Sequence, residues 1–496
     1  MAPADAREPT RDPDILDSRQ AGGVFLRGGG LRVLAYVGAV ATSIAATPFV
    51  TRHLHRVGYG RYVAVTSLLL IVAALTEGGI ASLGVREFSG GAEGERRQLM
   101  RNLLGLRIAL SGAGAVGAIL FALLAGYPRV VVEGTAVASV GLLLANLQVT
   151  LSVPLTAALR LPWLALLDFV GPAVTALGLV VLVVIGAPLL PFFAAAVLAY
   201  VVTLLTTAVL VRRQISLRPS FARASWRPLL AQSVVFAAAT ALGAIYFQVV
   251  VVAMSLLTNG VAVGIFGLAF RILSVVNGIP LLLVGSAFPI LLRAARDDRG
   301  RLRYAVQRLF EGNLLLGGWL SLLVVAGAPF AVSVMGGASY AGSATVLRIL
   351  GCGVIATFLA AVFCFALLAL RMYRTLIILN AGVVVLAVVL CTTLIPAHGA
   401  QGAAIATLSL EVVLASAYAT ALLRSHRELR PELAMATRIT VALALAFVAA
   451  LAVPLSSLPA AGVGSAVLAV AVVALRAVPR ELVQAVRRPA DARNAR

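Results

Sequence analysis

Six charged residues stand inside stretches that are otherwise apolar: Arg107, Arg271 and Arg348, with Glu77, Asp168 and Glu411. A charge in hydrocarbon costs at least ~2.5 kcal/mol unless it faces water or a partner. Each therefore marks a pairing between helices or a place that handles an ion. Arg271 lies about ten residues into its run, roughly 15 Å deep at 1.5 Å per residue, too deep to snorkel easily. Its planar fork can bind two oxygens of a phosphate at once. The alternative for Arg271 is an internal pairing, with Glu77 or Asp168. Arg107 sits some 9 Å from the end of its run, so it lines a cavity mouth or snorkels, and Arg348 is placed to snorkel. Glu77, beside Gly78 and Gly79, is read as paired, protonated or a coupling-ion ligand. Asp168, in "LLDFVGPAV", hydrates a cavity or pairs with Arg107, and Glu411 lines the interior of the second half or pairs with a buried neighbour. Asn277, Gly278 and Pro280 follow Arg271. Proline removes a helix hydrogen bond, so a kink or break is expected there, either a hinge or a static kink.

A second cluster lies in "TRHLHRVGYGRY", where Arg52, His53, His55, Arg56 and Arg61 fall within ten residues. It forms either a basic mouth for an anion or a hydrated loop against lipid phosphates. His53 and His55 are two ligands at most, a poor metal site. No catalytic constellation is present, and no cofactor is called for. A coupling ion, H+ or Na+, is left open.

The elements that carry these residues follow from composition. The chain has 496 residues, is 61% hydrophobic and only 12% charged, about half the charge of a soluble protein. Apolar runs of roughly 20 residues recur along it, long enough to cross a ~30 Å hydrocarbon core. The expected fold is an all-α polytopic membrane protein of about fourteen spans. They lie near 31–50, 62–85, 102–126, 131–157, 161–186, 188–211, 229–256, 261–292, 309–335, 343–370, 372–396, 400–423, 437–456 and 460–478. All 40 basic residues are arginine, and the net charge is +21. Thirty-three arginines fall on one side of this arrangement and four on the other: Arg52, Arg56, Arg61 and Arg129. The positive-inside rule puts the rich side, with both termini, in the cytoplasm. The charge thus reflects topology and anionic lipid headgroups rather than nucleic-acid binding. Cys352, Cys364 and Cys391 all lie in apolar runs, which argues against a disulfide framework or a metal site.

The chain also repeats itself. "YGRYVAVTSLL" (59–69) aligns with "VGIFGLAFRIL" (263–273), matching Gly60 to Gly264, Tyr62 to Phe266 and Leu69 to Leu273. "AALR" ending at Arg160 and "LALR" ending at Arg371 form a second pair. Both pairs are six spans apart, so the halves run parallel. The expected organisation is a polar cytoplasmic arm (1–30), an N-lobe (31–211), a basic linker (212–228), a C-lobe (229–424), two extra helices (425–478) and a basic tail (479–496).

These residues resemble a known family, the Wzx-type polysaccharide flippases of the multidrug/oligosaccharidyl-lipid/polysaccharide exporter superfamily. The resemblance rests on "TRHLHRVGYGRY", "EGGIASLGVREFSGG" (77–91), "VGIFGLAFRILSVVNGIP" (263–280), "ASYAGSATVLRIL" (338–350) and, most specifically, "LIPAHGAQGAAIAT" (394–407). It implies a MATE-like fold with two lobes around a central cavity, and alternating access for a lipid-linked oligosaccharide. It implies a bacterial inner membrane, with the lipid-linked glycan and anionic lipids as partners, the polysaccharide polymerase machinery as a candidate partner, and a monomer. A lipid pyrophosphate would meet Arg271 and Arg107 in the cavity, with Glu77 and Asp168 on its walls. A lipid II flippase and a cation-coupled drug exporter are the alternatives within the superfamily. A membrane polymerase or ligase is the alternative class, and it would need a longer outside loop than the ~4–12 residues found by the span reading.

Overall fold

The computed structural model describes residues 19–77, 79–452 and 457–475. The first part of the expected arm, Gly78 and the expected tail lie outside the described residues. The described chain is helical and, among those residues, has no strand. In order the helices are α1 (Arg19–Glu77), α2 (Ile80–Gly90), α3 (Glu93–Leu124), α4 (Arg129–Leu151), α5 (Val153–Ala157), α6 (Leu161–Val184) and α7 (Leu189–Val211). They continue with α8 (Arg223–Leu257), α9 (Gly260–Asp297), α10 (Arg299–Gly336), α11 (Gly342–Ala369), α12 (Tyr373–Ser425), α13 (Leu433–Ala452) and α14 (Ser457–Ala474).

Among the described residues eleven segments are long and apolar enough to cross a membrane, counting α1 with α2 and α4 with α5. Two of the eleven, α1 and α12, are each a pair of helices joined at one non-helical residue, His55 and Gly399. Ser43 and Ser67 lie twelve residues either side of His55 and line one cavity. A straight helix would hold them about 36 Å apart, so the arms of α1 fold back on each other. Tyr418 Oη donates to Asn380 Oδ1 at 2.5 Å across the turn of α12, which requires the same fold-back. With those two doublings and the 35-residue α8, the described helices fit the expected count of about fourteen passes. The expected second span does end early. It stops at Glu77, and Gly79 (φ 67) precedes the separate α2, whose buried side carries Ile80, Leu83 and Phe88.

The two six-pass repeats meet where the sequence match put them. A Cβ on Gly60 would run into Gly260 O, and one on Gly264 into Arg56 O. The two matched glycines thus let the arm 56–77 and the start of α9 cross at backbone contact. The "AALR" and "LALR" turns also correspond. Each ends its helix with a positive-φ residue, Leu159 (φ 51) or Arg371 (φ 58), followed by a backbone bond five residues back, Arg160 N to Leu155 O and Met372 N to Leu367 O. The left-handed positions are offset by one residue between the repeats. The last two helices pack on α10, with Gly318 against Leu443 and Gly464 against Leu322.

The halves differ inside. The largest buried cluster centres on α8 to α12, with Phe266, Phe358, Leu367, Ala387 and Leu410, and reaches Val50, Tyr59 and Phe192 of the other half. The helices α1 to α7 hold smaller buried clusters, around Leu103 and Leu155 and around Val65 and Phe193, and α1, α4, α6 and α7 border open space on the side facing α8 and α9.

Candidate functional site

A cavity of about 570 Å³ lies between α1, α4, α6 and α7 on one side and α8 and α9 on the other. Its wall mixes small polar side chains (Ser43, Thr47, Thr66, Ser67) with the glutamines Gln148 and Gln248 and the rings of Tyr59, Tyr62 and Tyr200. Of its lining residues Arg271 is the one base and Asp168 the one acid. Both ends are narrowed by contacts across the two repeats. At the His55 end, Thr51 Oγ1 donates to Met335 O at 2.5 Å, Arg52 Nη2 to Val334 O at 3.0 Å and Tyr340 Oη to Thr51 O at 3.3 Å. At the arginine-rich end, Tyr36 Oη lies 2.5 Å from where a Cβ on Gly278 would stand.

Arg271 reaches the cavity from α9, one face of which also presents Gly267, Phe270 and Ser274. Its Nη2 donates to Ser43 Oγ on α1. Among the described residues no carboxylate lies within 4 Å of it, so the internal pairings weighed from sequence are not made. A guanidinium with one hydroxyl partner in a polar cavity retains donors for an anion.

Arg107 is elsewhere. It is fully buried, not snorkelled, and does not line the cavity. Its Nε donates to Thr150 Oγ1 at 3.0 Å, and its Nη1 to Thr76 O at 2.8 Å and Glu77 O at 3.3 Å. Nη2 stands 3.8 Å from Glu77 Oε1. Thr76 and Glu77 end α1, where carbonyls lack helical partners, and the guanidinium supplies their donors. Asn146 extends the network by donating to Thr76 Oγ1 at 3.0 Å and Ser111 Oγ at 2.8 Å. Glu77 belongs to this knot and not to the cavity: its Oε2 accepts from Gly79 N–H at 3.0 Å. The pairing of Glu77 with an arginine, read from sequence, is present.

Asp168 is on the cavity wall, but its partner is Arg32, with Arg32 Nε 2.9 Å from Asp168 Oδ2. Arg107 is not involved. Glu411 is buried in the other half, accepting from Tyr246 Oη at 3.0 Å and Thr357 Oγ1 at 2.9 Å.

Of the expected kink or break at Asn277, Gly278 and Pro280, the break is absent. α9 runs through Pro280 and Pro289 without a non-helical residue. Proline's missing N–H costs one bond, and neighbours packed on both sides hold the rest of the helix together. The position still marks a contact point, where Gly278 leaves room for Tyr36.

The basic stretch 52–61 is a joint as well as a surface. His53 stacks on Phe192 at 5.6 Å between ring centres, with Nε2 2.8 Å from Ala187 O. His55 takes the bend (φ 52, ψ −179). Arg52 and Arg56 are exposed and Arg61 half-buried. None of the three lines the cavity.

Sequence reasoning missed the cavity's uncharged wall and the Arg32–Asp168 pair. A signal for the wall exists: Ser43 and Thr47, like Tyr62 and Thr66, are one turn apart in apolar helices, and Gln148 and Gln248 are each lone amides in such runs.

With this geometry the comparisons with known proteins agree. A bundle of about fourteen passes in two parallel repeats around a polar cavity is a membrane-transporter architecture. The chain belongs to the polysaccharide biosynthesis protein family, whose model matches residues 25–295, more than half its length. Among solved structures it is similar to the lipid II flippase MurJ in an inward closed conformation (TM-score 0.74, 13% identity, covering 91% of this chain and 99% of that one). It is also similar to an inward-facing multidrug resistance MATE family transporter of the MOP superfamily (TM-score 0.60, 15% identity, covering 79% and 94%). A MOP superfamily transporter from Pyrococcus furiosus, described by a binding pocket of reverse polarity, is a third (TM-score 0.51, 16% identity, covering 82% and 95%). At these identities the likenesses establish the fold. No curated protein sequence matches the chain.

Proposed function

We propose that the protein is a flippase that carries a pyrophosphate-linked polyprenyl oligosaccharide from the inner to the outer leaflet of a bacterial plasma membrane, for cell-surface polysaccharide assembly. The observation that carries this reading is Arg271, a cavity guanidinium with a serine and no carboxylate beside it. The pyrophosphate binds there, and the hydroxyl, amide and tyrosine wall accepts the sugar, while the lipid tail stays outside between the repeats. Alternating closure at the Tyr36–Gly278 end and the Gly60–Gly264 end exposes the cavity first to the cytoplasm and then to the outside.

The orientation is that of the positive-inside rule, with both termini and the arginine-rich loops cytoplasmic. A potential negative inside then favours export of an anion by ~2.3 kcal/mol per charge per 100 mV, enough to drive the cycle without a bound ion. The protein works as a monomer among anionic lipids and delivers its glycan to the polymerase machinery. A cationic-drug exporter fits the cavity poorly, because its one acid is already neutralised by Arg32.

Deleting the gene and identifying the accumulating lipid by mass spectrometry tests the reading. A polyprenyl-pyrophosphate oligosaccharide is the expected species. A peptidoglycan precursor would favour a lipid II flippase instead, and no accumulating lipid-linked glycan would sink both.

A further inference from the structure

The cavity's acid is held by a base that is not itself on the cavity wall. Arg32, near the start of the first pass, donates to Asp168 of α6 through Nε alone. Among the described residues its two Nη groups make no hydrogen bond. Both side chains are about half exposed, 51% for Arg32 and 45% for Asp168. An ion pair so hydrated is worth no more than ~1 kcal/mol, so exchanging one acceptor for another costs little.

We propose that Arg32 and Asp168 form a first phosphate station at the arginine-rich mouth of the cavity. The incoming pyrophosphate displaces Asp168 from Arg32 and is then passed to Arg271. The proposal rests on the flippase reading and adds two residues to it. Arg32 precedes Ser43, the partner of Arg271, by eleven residues on one helix arm. That is about 16 Å along the axis, more than a pyrophosphate can bridge. The two arginines therefore act in sequence. Arg32 presents the free edge of its fork, the geometry that binds a phosphate through two oxygens.

Asp168 supplies the release. Standing within bonding distance of Arg32 and on the cavity wall, it competes with the phosphate for the same guanidinium. An arginine without that competitor would hold the anion at the mouth. The mouth is also firmly positioned. Phe169, next to Asp168, packs on Gly38 of α1, and Tyr36, one turn beyond Arg32, meets Gly278 of α9. Closure at Tyr36 thus falls just behind a headgroup that has moved from Arg32 toward Arg271.

The test uses purified full-length protein in vesicles, with a fluorescent polyprenyl-pyrophosphate disaccharide as probe, in phosphatidylcholine alone and with added phosphatidylglycerol. Binding and flipping are both measured. Wild-type protein that neither binds nor flips the probe overturns the flippase reading and this proposal together. Where wild type binds and flips, Arg32→Gln should raise the half-saturating probe density about ten-fold, as loss of a charge-assisted bond does, and leave the maximal rate within a factor of about two. Asp168→Asn should do the opposite, binding the probe more tightly and turning over more slowly. Arg32→Lys keeps the charge and should recover part of the affinity, while Tm stays near wild type in both Arg32 variants, which a purely structural role for the pair does not predict. Unchanged half-saturation in Arg32→Gln, or a fall in maximal rate alone, overturns the relay while leaving the flippase reading in place. So does an effect seen only with phosphatidylglycerol present, which would make Arg32 a contact for bulk lipid phosphate.

Discussion

Arg107 and Arg271 are both arginines within apolar helices, and the protein surrounds them differently. Arg107 is fully buried and bonded to a threonine and to the two carbonyls that end α1, with Glu77 nearby. Arg271 is half-buried, touches one serine hydroxyl and faces open space. A similar contrast holds inside the bundle. Glu411 is packed among the apolar side chains of the α8–α12 half, whereas a polar hollow opens where that half faces α1, α4, α6 and α7. Burial of a charge thus reports function only after its partners are counted. A guanidinium whose donors are used by backbone carbonyls holds the fold, and one that keeps its donors can serve a ligand.

The largest expected break in this comparison is Arg107→Ala. It removes the donors of Thr150 and of the Thr76 carbonyl in the interior, and each buried polar group left unsatisfied costs about 1–3 kcal/mol. Thermal unfolding in detergent should show a large fall in Tm or no folded protein. Arg107→Lys should recover little, because an ammonium cannot reach Thr150 and both carbonyls as a fork does. A stable Arg107→Ala protein that has lost transport would move Arg107 to the substrate path.

Arg271→Ala should behave in the opposite way. Flipping in vesicles is expected to fall about a hundred-fold, or ~2.7 kcal/mol of transition-state stabilisation, with Tm nearly unchanged. Full flipping by this variant would remove the observation on which the proposed function stands.

Gly264→Ala probes the joint between the repeats. The new methyl meets the Arg56 carbonyl, a backbone atom that a side-chain rotation cannot move away. Overpacking of this kind costs about 1–3 kcal/mol. It falls on the closed form of the His55 end, so the variant should flip more slowly and should label faster than wild type at a cysteine placed at Ser67 in the cavity. Gly278→Ala should give the same pattern at the other end, more mildly, since the Tyr36 side chain can swing aside.

How far the sequence carried can be judged residue by residue. The count of about fourteen passes and the repeat were legible, because hydrocarbon thickness fixes run length and the matched glycines Gly60 and Gly264 are required by a backbone crossing. Arg271 was legible as an unpaired deep charge. Arg107 was not, since depth along its own helix says nothing about the carbonyls that a neighbouring helix end brings to it. Pro280 misled in the other direction: one missing N–H suggests a break, and the packing that carries α9 through it is tertiary. The Arg32–Asp168 pair joins residues 136 apart whose spacing carries no local signal.

The smallest expected effect concerns His55, and it separates the two uses of the basic stretch. At φ 52 and ψ −179 its backbone occupies a region that is nearly glycine's alone, at a cost of about 1–3 kcal/mol for a side-chain residue. A glycine there relieves the strain but gives back some entropy to the unfolded chain, so His55→Gly should stabilise by only about 1 kcal/mol. The imidazole is exposed and holds nothing that the described residues show, in contrast to His53, which is stacked on Phe192 and bonded to Ala187. His53→Ala should therefore lower Tm where His55→Gly raises it. If His55→Gly instead slows export at unchanged or higher Tm, the bend is strained for the sake of motion, and the turn between the two arms of α1 takes part in the transport cycle.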